Sequence, residues 1–167
     1  MMKKDGLKKI KVIAMDVDGV MTDGRIIYDG TGKELKFFDV QDGYAIARAR
    51  REGLKTAVIS ARSAEAVKAR MADLKIDKVY LDASPKINAY EDLLKTFNVA
   101  DEEVCFIGDD FPDHAVLSRA GFAVAVANAA PEIKKVADYV TRRRGGRGAV
   151  REAVEKILKA QGRWGVE

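Results

Sequence analysis

The chain of 167 residues contains one cysteine, one histidine and no long apolar run. The lone Cys105 excludes an intramolecular disulfide and favours a reducing compartment, and its apolar neighbours indicate a packing role. The longest apolar run, at residues 122–127, is far shorter than a membrane-spanning helix. Residues 1–9 are basic but lack the apolar core of a signal peptide. These absences predict a cytoplasmic protein that makes no membrane contact.

The charge of the chain is mildly basic and dispersed. Lysine and arginine number 30 against 26 acids, a formal net charge of +4, so most charges are expected on solvated helix faces. Residues 142–148 superficially resemble an arginine-glycine RNA-binding segment, but the run is short and lies between an apolar strand and an amphipathic helix. A flexible flap that attracts anions is therefore favoured there. We predict a small anionic substrate and no nucleic-acid partner.

Apolar runs alternate with helical patterns along the whole chain, and its length suits one domain over residues 1–167. Strands are predicted at residues 10–15, 54–59, 78–81, 104–107, 122–126 and 139–140. Helices are predicted at residues 44–52, 64–74, 85–97, 113–120, from residue 131 and at 149–160, with Ser63 and Ser84 as caps. This order predicts an α/β fold, a doubly wound, Rossmann-like parallel sheet with helices on both faces.

A β-hairpin is predicted between the first strand and the first long helix. Two short apolar-rich runs flank the turn at residues 29–32, which indicates a hairpin flap at about residues 25–38. An isolated hairpin is marginal in water, and this one carries the large apolar residues Ile26, Ile27, Tyr28, Phe37 and Phe38. We therefore expect it to pack on another subunit and to help cover the ligand site.

Two acids and a glycine end the first predicted strand. Asp16 and Asp18 point to the same side, and Gly19 lets the backbone turn beneath them. Adjacent carboxylates repel unless a cation or a shared proton relieves them, and oxygen ligands favour magnesium. Taken alone, this motif is equally compatible with a solvated loop.

The carboxyl ends of the other strands carry residues that complement this acid pair. Ser60 ends one strand, Lys86 begins the helix after another, and Asp109 and Asp110 end a fourth. These ends converge at one edge of a parallel sheet, where such folds bind ligands. Magnesium and an ammonium neutralise phosphoryl oxygens, and a hydroxyl donates a hydrogen bond. The ordered set therefore predicts a phosphoryl-transfer site.

These residues resemble the four motifs of the haloacid dehalogenase-like phosphatases. The motif residues are Asp16-Val17-Asp18-Gly19, Ser60, Lys86 and Gly108-Asp109-Asp110 with Asp113. The hairpin, residues 38–43, 60–62, 137–141 and 145–152 further resemble the 3-deoxy-D-manno-octulosonate 8-phosphate phosphatase family. The resemblance covers residues 10–162 and implies a fold without a separate cap domain.

The resemblance implies a role for each motif residue. Asp16 would be the nucleophile that forms an aspartyl-phosphate, and Asp18 the acid and then the base. Ser60 and Lys86 would bind the phosphoryl group. Mg²⁺ would be held by Asp16, the backbone carbonyl of Asp18, and Asp109, while Asp110 and Asp113 would orient waters or Lys86.

The resemblance also implies a sugar-acid phosphate as substrate and a role in lipopolysaccharide biosynthesis. Arginine suits planar recognition of the sugar carboxylate. The implied substrate-binding residues are Asp18, Asp39, Val40, Gln41, Asp42, Gly43, Arg62, Arg70 and Lys86. A homotetramer is expected, with the hairpin and the C-terminal segment at its interfaces. Ala61 replaces a glycine usual in the family, so the turn after Ser60 is expected to differ slightly.

Three alternatives stay open at this point. Relatives in the same branch act on nine-carbon keto-sugar acid 9-phosphates, and the residues do not separate the two substrates. A phosphorylation-switched receiver module uses similar residues, but residues 43–60 offer no acid at a strand end in the required chain order. A catalytically idle interaction domain is disfavoured because every catalytic residue type is present.

Overall fold

A computed structural model describes residues 4–165 of the chain. The helices are α1 (Lys4–Leu7), α2 (Val40–Arg51), α3 (Glu65–Asp73), α4 (Lys86–Phe97), α5 (His114–Leu117), α6 (Pro131–Val136) and α7 (Ala149–Ala160). The strands are β1 (Val12–Met15), β2 (Ile27–Tyr28), β3 (Glu34–Leu35), β4 (Lys55–Ile59), β5 (Lys78–Tyr80), β6 (Val104–Gly108), β7 (Phe122–Ala125) and β8 (Tyr139–Val140). Residues 1–3 of the basic segment 1–9 and residues 166–167 lie outside the described part.

Six of these strands form one parallel sheet in the order β5-β4-β1-β6-β7-β8. β1 lies in the middle, and its four residues are fully buried because helices cover both faces. The free Cys105 of β6 is also fully buried in this core, as its apolar neighbours predicted. The doubly wound α/β fold is thereby confirmed.

The strand order reverses direction beside β1. The chain moves from β1 outward through β4 and β5 and then returns to β6 on the other side of β1. Such a reversal leaves a crevice beyond the carboxyl ends of the two strands, where open α/β sheets bind ligands. The loops after β1 and β6 therefore meet at this crevice.

The predicted hairpin is confirmed as an antiparallel pair of β2 and β3. Its turn is closed by Asp29, whose Oδ1 accepts hydrogen bonds from the backbone N–H of Thr31 at 2.8 Å and of Lys33 at 2.9 Å. Each strand has two residues, so the hairpin depends on contacts outside itself for stability.

The segment 39–43 precedes the helix predicted at residues 44–52, but in the structure it opens helix α2. The carboxylate of Asp39 accepts hydrogen bonds from the backbone N–H groups of Gln41 at 2.7 Å and Asp42 at 3.1 Å. This is the geometry of a helix N-cap, so the helix begins at Val40 rather than Tyr44. Glycine disfavours helix interiors, so Gly43 provides little local signal that the helix begins before residue 44.

The predicted caps of α3 and α4 and the predicted bounds of α5 are wrong. Ser63 and Ser84 do not cap α3 and α4, since Ala64 and Pro85 occupy the cap positions without a side-chain hydrogen bond. The helix expected at residues 113–120 is a 3₁₀ turn at Phe111–Asp113 followed by the short α5. By contrast, α7 has the predicted bounds.

The arginine-glycine segment is packed rather than a free flap. The backbone N–H of Gly146 donates to the carbonyl of Val20 at 3.0 Å, and Gly145 is buried. The segment therefore lies against the turn that follows β1. In the described part of the chain, no helix is long and apolar enough to cross a membrane.

Candidate active site

Asp16 and Asp18 follow β1 at the crevice. The backbone N–H of Asp16 donates to the carbonyl of Ile107 at 3.0 Å, which continues the pairing of β1 with β6. The Asp16 side chain is 12% exposed and the Asp18 side chain is 20% exposed. Burial, with repulsion from Asp113, raises the pKa of Asp16 to about 6 despite the nearby Lys86 ammonium. Asp16 is therefore more deeply buried than Asp18.

Lys86 begins helix α4 and is 3% exposed. Its Nζ lies 2.8 Å from Oδ1 of Asp16 and 2.6 Å from Oδ1 of Asp113. Burial lowers the pKa of this lysine, but the two carboxylates outweigh burial and raise it. Lys86 is therefore charged and fixed beside Asp16.

Asp109 lies over the turn after β1. A Cβ atom at Gly19 would approach Oδ2 of Asp109 to 2.0 Å, and Gly19 has a φ of +87°. Both the backbone conformation and the close approach require glycine at this position. Burial, and then repulsion from Asp16, Asp113 and Asp110, raises the pKa of Asp109 to about 8.

Asp16, Asp109 and Asp113 form a cluster that fits a metal ion. One carboxylate oxygen from each lies within 4.8 Å of the others. The cluster is crowded with negative charge, since the raised pKa values of Asp16 and Asp109 both include repulsion from neighbouring acids. A hard divalent cation with oxygen ligands relieves this repulsion, so the residues fit Mg²⁺.

Asp113 differs from Asp16 and Asp109 because both of its carboxylate oxygens accept hydrogen bonds from neighbouring groups. Its Oδ1 accepts from Lys86, and its Oδ2 accepts from the backbone N–H of Asp109 at 2.9 Å and of Asp110 at 3.4 Å. Asp113 therefore orients Lys86 and the Asp109 loop. Asp110 is exposed, and its Oδ1 accepts from the backbone N–H of Phe111 at 2.8 Å, so its side chain caps the 3₁₀ turn.

Ser60 ends β4 and is 2% exposed. Its backbone N–H donates to the carbonyl of Tyr80, and its own carbonyl accepts from the backbone N–H of Ala83, both at 2.9 Å. The hydroxyl oxygen accepts from the backbone N–H of Arg62 at 3.3 Å, which leaves its hydrogen free to donate. Ala61 is not among the described non-glycine residues with positive φ, so this turn does not require glycine.

The sequence-predicted phosphoryl-transfer residues lie around one cavity of about 280 Å³. Its lining residues are Asp16, Asp18, Gly24, Ser60, Ala61, Arg62, Lys86, Asp109, Asp110, Pro112 and Asp113. The cavity has two basic side chains, Lys86 and Arg62, for an anionic ligand. The prediction that these strand ends converge is therefore confirmed.

Most of the other residues expected to bind substrate lie outside this cavity lining. The carboxylate of Asp42 is buried and accepts from the backbone N–H of Arg151 at 2.8 Å and of Gly148 at 3.3 Å, so it caps helix α7. Arg70 pairs with Asp73 at 2.8 Å, and a Cβ at Gly43 would collide with its guanidinium. Asp39 is the N-cap of α2, while Val40 and Gln41 lie on its first turn. Their substrate-binding role stays a prediction.

Sequence reasoning missed two polar groups near the cavity. Asn128 joins two loops, because its Nδ2 donates to the carbonyl of Gly19 at 2.9 Å and its Oδ1 accepts from the backbone N–H of Gly145 at 2.6 Å. Lys36 of the hairpin contacts the carboxylate of Asp18. The one available signal for Lys36 was its place two residues after Glu34, which puts both side chains on one face of an extended segment.

Known proteins resemble this chain in sequence over most of its length. A sequence model of the family described as haloacid dehalogenase-like hydrolase matches residues 78–153. The 3-deoxy-D-manno-octulosonate 8-phosphate phosphatase KdsC of Escherichia coli (strain K12) is 44% identical over 156 residues, which cover 93% of this chain and 83% of that protein.

Two solved structures extend the likeness to the fold. The structure of 3-deoxy-D-manno-octulosonate 8-phosphate phosphatase from Moraxella catarrhalis contains a magnesium ion, a phosphate ion and a KDO molecule. It matches this chain with a TM-score of 0.93 and 40% identity. The match covers 95% of this chain and 91% of that one. The cobalt-bound deoxy-D-mannose-octulosonate 8-phosphate phosphatase of Haemophilus influenzae has a TM-score of 0.91 and 39% identity, over 94% and 92% of the two chains. With this identity along nearly its whole length, the chain belongs to the 3-deoxy-D-manno-octulosonate 8-phosphate phosphatase family of the haloacid dehalogenase-like hydrolases.

Proposed function

We propose that this protein is a Mg²⁺-dependent phosphomonoesterase that hydrolyses 3-deoxy-D-manno-octulosonate 8-phosphate to the free sugar acid and phosphate. The observation that carries the proposal is the buried Lys86, held between Asp16 and Asp113 in a cavity with Asp109 and Ser60. This arrangement suits an anionic phosphoryl group next to a carboxylate nucleophile. Membership of the family supports the choice of substrate.

In the proposed first step, the carboxylate of Asp16 attacks phosphorus. A bond forms between Asp16 and phosphorus while the bond from phosphorus to the sugar oxygen breaks, and Asp18 gives its proton to that oxygen. In the second step, Asp18 takes a proton from water, which attacks the phosphorus of the aspartyl-phosphate. The bond to Asp16 then breaks and inorganic phosphate leaves.

The other cavity residues bind the charge of the phosphoryl group. Lys86 is charged and lies beside Asp16, so it is positioned to neutralise phosphoryl oxygens. The Ser60 hydroxyl has its hydrogen free to donate to another oxygen. Asp16, Asp109 and the backbone carbonyl of Asp18 would hold Mg²⁺, which supplies further charge neutralisation and orientation of the phosphoryl group.

We further propose that Arg62 recognises the carboxylate of the sugar acid, since its exposed guanidinium lines the cavity rim. Arg70 and residues 39–43 complete substrate recognition in this proposal. The protein acts in the cytoplasm as one domain over residues 1–167, in lipopolysaccharide biosynthesis.

The proposed assembly is a homotetramer with the hairpin and C-terminal segment at its interfaces. The hairpin region exposes large apolar side chains: Ile26 is 41% exposed, Tyr28 59%, Leu35 41% and Phe37 66%. Such a patch is unusual on a monomer and typical of an interface. Sedimentation equilibrium at micromolar concentration tests this proposal, with Phe37→Ser expected to lower the mass. A monomeric mass for the unsubstituted protein would contradict it.

Phosphate release from a panel of sugar phosphates tests the function. We expect preference for the eight-carbon keto-acid phosphate, and loss of activity with a chelator and in Asp16→Asn, which keeps the size of the side chain. Equal activity on nine-carbon keto-acid phosphates would retain the mechanism and change the substrate. No release from any ester by folded, Mg²⁺-binding protein would contradict the enzymatic function and favour an interaction domain.

A further inference from the structure

Lys36 lies just after β3, and its ammonium reaches from the hairpin to the catalytic end of the sheet. Its Nζ donates to Oδ1 of Asp18 and lies 2.7 Å from Oε1 of Glu34. The Lys36 side chain is 1% exposed. An ammonium removed from water is costly unless carboxylates compensate it, so a buried lysine with two acidic partners is a specific arrangement.

Glu34 connects this lysine to the loop after β4. Its Oε1 and Oε2 accept hydrogen bonds from Nη2 of Arg62 at 3.2 and 3.3 Å. Nε of Arg62 also lies 3.8 Å from Oδ2 of Asp18. Lys36 and Arg62 therefore approach different oxygens of Asp18, and Glu34 holds both cations.

The orientation of the Asp18 carboxylate depends on such contacts, because its position in the chain does little to fix it. It lies on a turn beyond the end of β1, and its side chain is one-fifth exposed, at 20%. Within residues 4–165, Lys36 is the side chain that donates a hydrogen bond to the Asp18 carboxylate. A carboxylate that transfers protons must lie within hydrogen-bond reach of the leaving oxygen, and its orientation therefore affects the rate.

We propose that Lys36 is a positioning residue that holds the Asp18 carboxylate in the orientation required for proton transfer to the leaving group. The inference rests on the proposed function, which makes Asp18 the acid and base. Because Lys36 belongs to the hairpin, the placement of the hairpin and the orientation of the Asp18 carboxylate are then linked.

The leaving group provides a direct test. A sugar oxygen is a poor leaving group and needs a proton, whereas 4-nitrophenolate leaves without one. Loss of a correctly oriented acid therefore slows alkyl phosphates much more than aryl phosphates. Loss of structure or of phosphoryl binding slows both classes equally.

The experiment compares Lys36→Met, Lys36→Arg and the control Lys33→Met in the full chain with Mg²⁺. Lys33 lies in the same hairpin and is exposed. The kcat and KM values are measured for 3-deoxy-D-manno-octulosonate 8-phosphate, 4-nitrophenyl phosphate and a series of alkyl and aryl phosphates. We expect Lys36→Met to lower kcat on the sugar phosphate by about 100-fold, since general acids contribute roughly 10²–10⁴-fold. KM and 4-nitrophenyl phosphate turnover should change little, Lys36→Arg should recover part of the loss, and Lys33→Met should match the unsubstituted protein.

Equal losses on alkyl and aryl phosphates, or no loss, would overturn the positioning role. Should Lys36→Met fail to fold, Glu34→Gln provides the same test, because it removes the charge that holds Lys36 and should shift the leaving-group dependence in the same direction. If the unsubstituted protein hydrolyses other esters but not the octulosonate phosphate, the proposed substrate fails while the leaving-group series still decides the role of Lys36. If it hydrolyses no ester, both proposals fail.

Discussion

Substitution of Gly19 by alanine, compared with the same substitution at Gly53, distinguishes the cost of backbone strain from damage to the metal-binding cluster of Asp16, Asp109 and Asp113. Gly19 has a φ of +87°, and the added Cβ would lie 2.0 Å from Oδ2 of Asp109. The left-handed conformation costs an L-residue about 1–2 kcal/mol. Asp109 must also retreat from 2.0 Å to about 3.4 Å, the lower limit of an ordinary contact. A misplacement of about 1 Å at a catalytic site typically costs about 100-fold in rate.

Gly53 provides the matched control. It has a φ of +85°, and a Cβ there would meet nothing within 4 Å. We expect Gly19→Ala and Gly53→Ala both to lose about 1–2 kcal/mol of stability, which lowers the melting temperature by roughly 2–8 °C. Only Gly19→Ala should lose affinity for Mg²⁺ and about 100-fold or more in kcat/KM.

Calorimetric titration with Mg²⁺, steady-state phosphate release and thermal unfolding measure the three quantities. Equal Mg²⁺ affinity and equal activity in the two variants would contradict this account, because Asp109 would then be unnecessary for metal binding or free to move without cost.

Two further predictions follow from buried carboxylates. Burial and neighbouring acids raise the pKa of Asp109 to about 8 from its ordinary 3.8, so the folded metal-free protein binds a proton that the unfolded chain releases. The contribution of Asp109 to stability falls as pH rises from the ordinary pKa of an aspartate and is lost above about pH 8. Without metal, the melting temperature should therefore fall between about pH 6 and pH 8. The fall should be smaller in Asp109→Asn and in the presence of Mg²⁺. For Asp42→Ala, loss of the cap on α7 should lower the free energy of unfolding in urea by about 1–2 kcal/mol. KM should rise as well, because residues 39–43 take part in substrate recognition in the proposed function, and an unchanged KM would limit Asp42 to its capping role.

The positions of the strands along the chain and the residues that follow them could be predicted from the sequence because those signals are local. A buried strand is a short apolar run, and alternation of side chains puts Asp16 and Asp18 together. Parallel strands then bring their carboxyl ends to one edge, which places Ser60, Lys86 and Asp109 near Asp16. The helix starts were less predictable, since Asp39 caps α2 and the helix begins at Val40, four residues before the predicted start.

The supporting contacts depend on tertiary structure. Asp42 caps a helix that begins more than 100 residues later, at contacts with Gly148 and Arg151 separated by 106 and 109 positions. Lys36 reaches Asp18 across 18 positions because the segment after β3 folds back to the turn after β1.

The chemical groups that this protein brings to the sheet edge follow from the sequence, because each comes after a strand whose pattern is local. The partner of each group follows from tertiary packing: Lys86 lies between Asp16 and Asp113, Asp109 lies over Gly19, and Lys36 contacts Asp18. Such pairings depend on the packing of distant segments, which leaves no periodic signal in the chain.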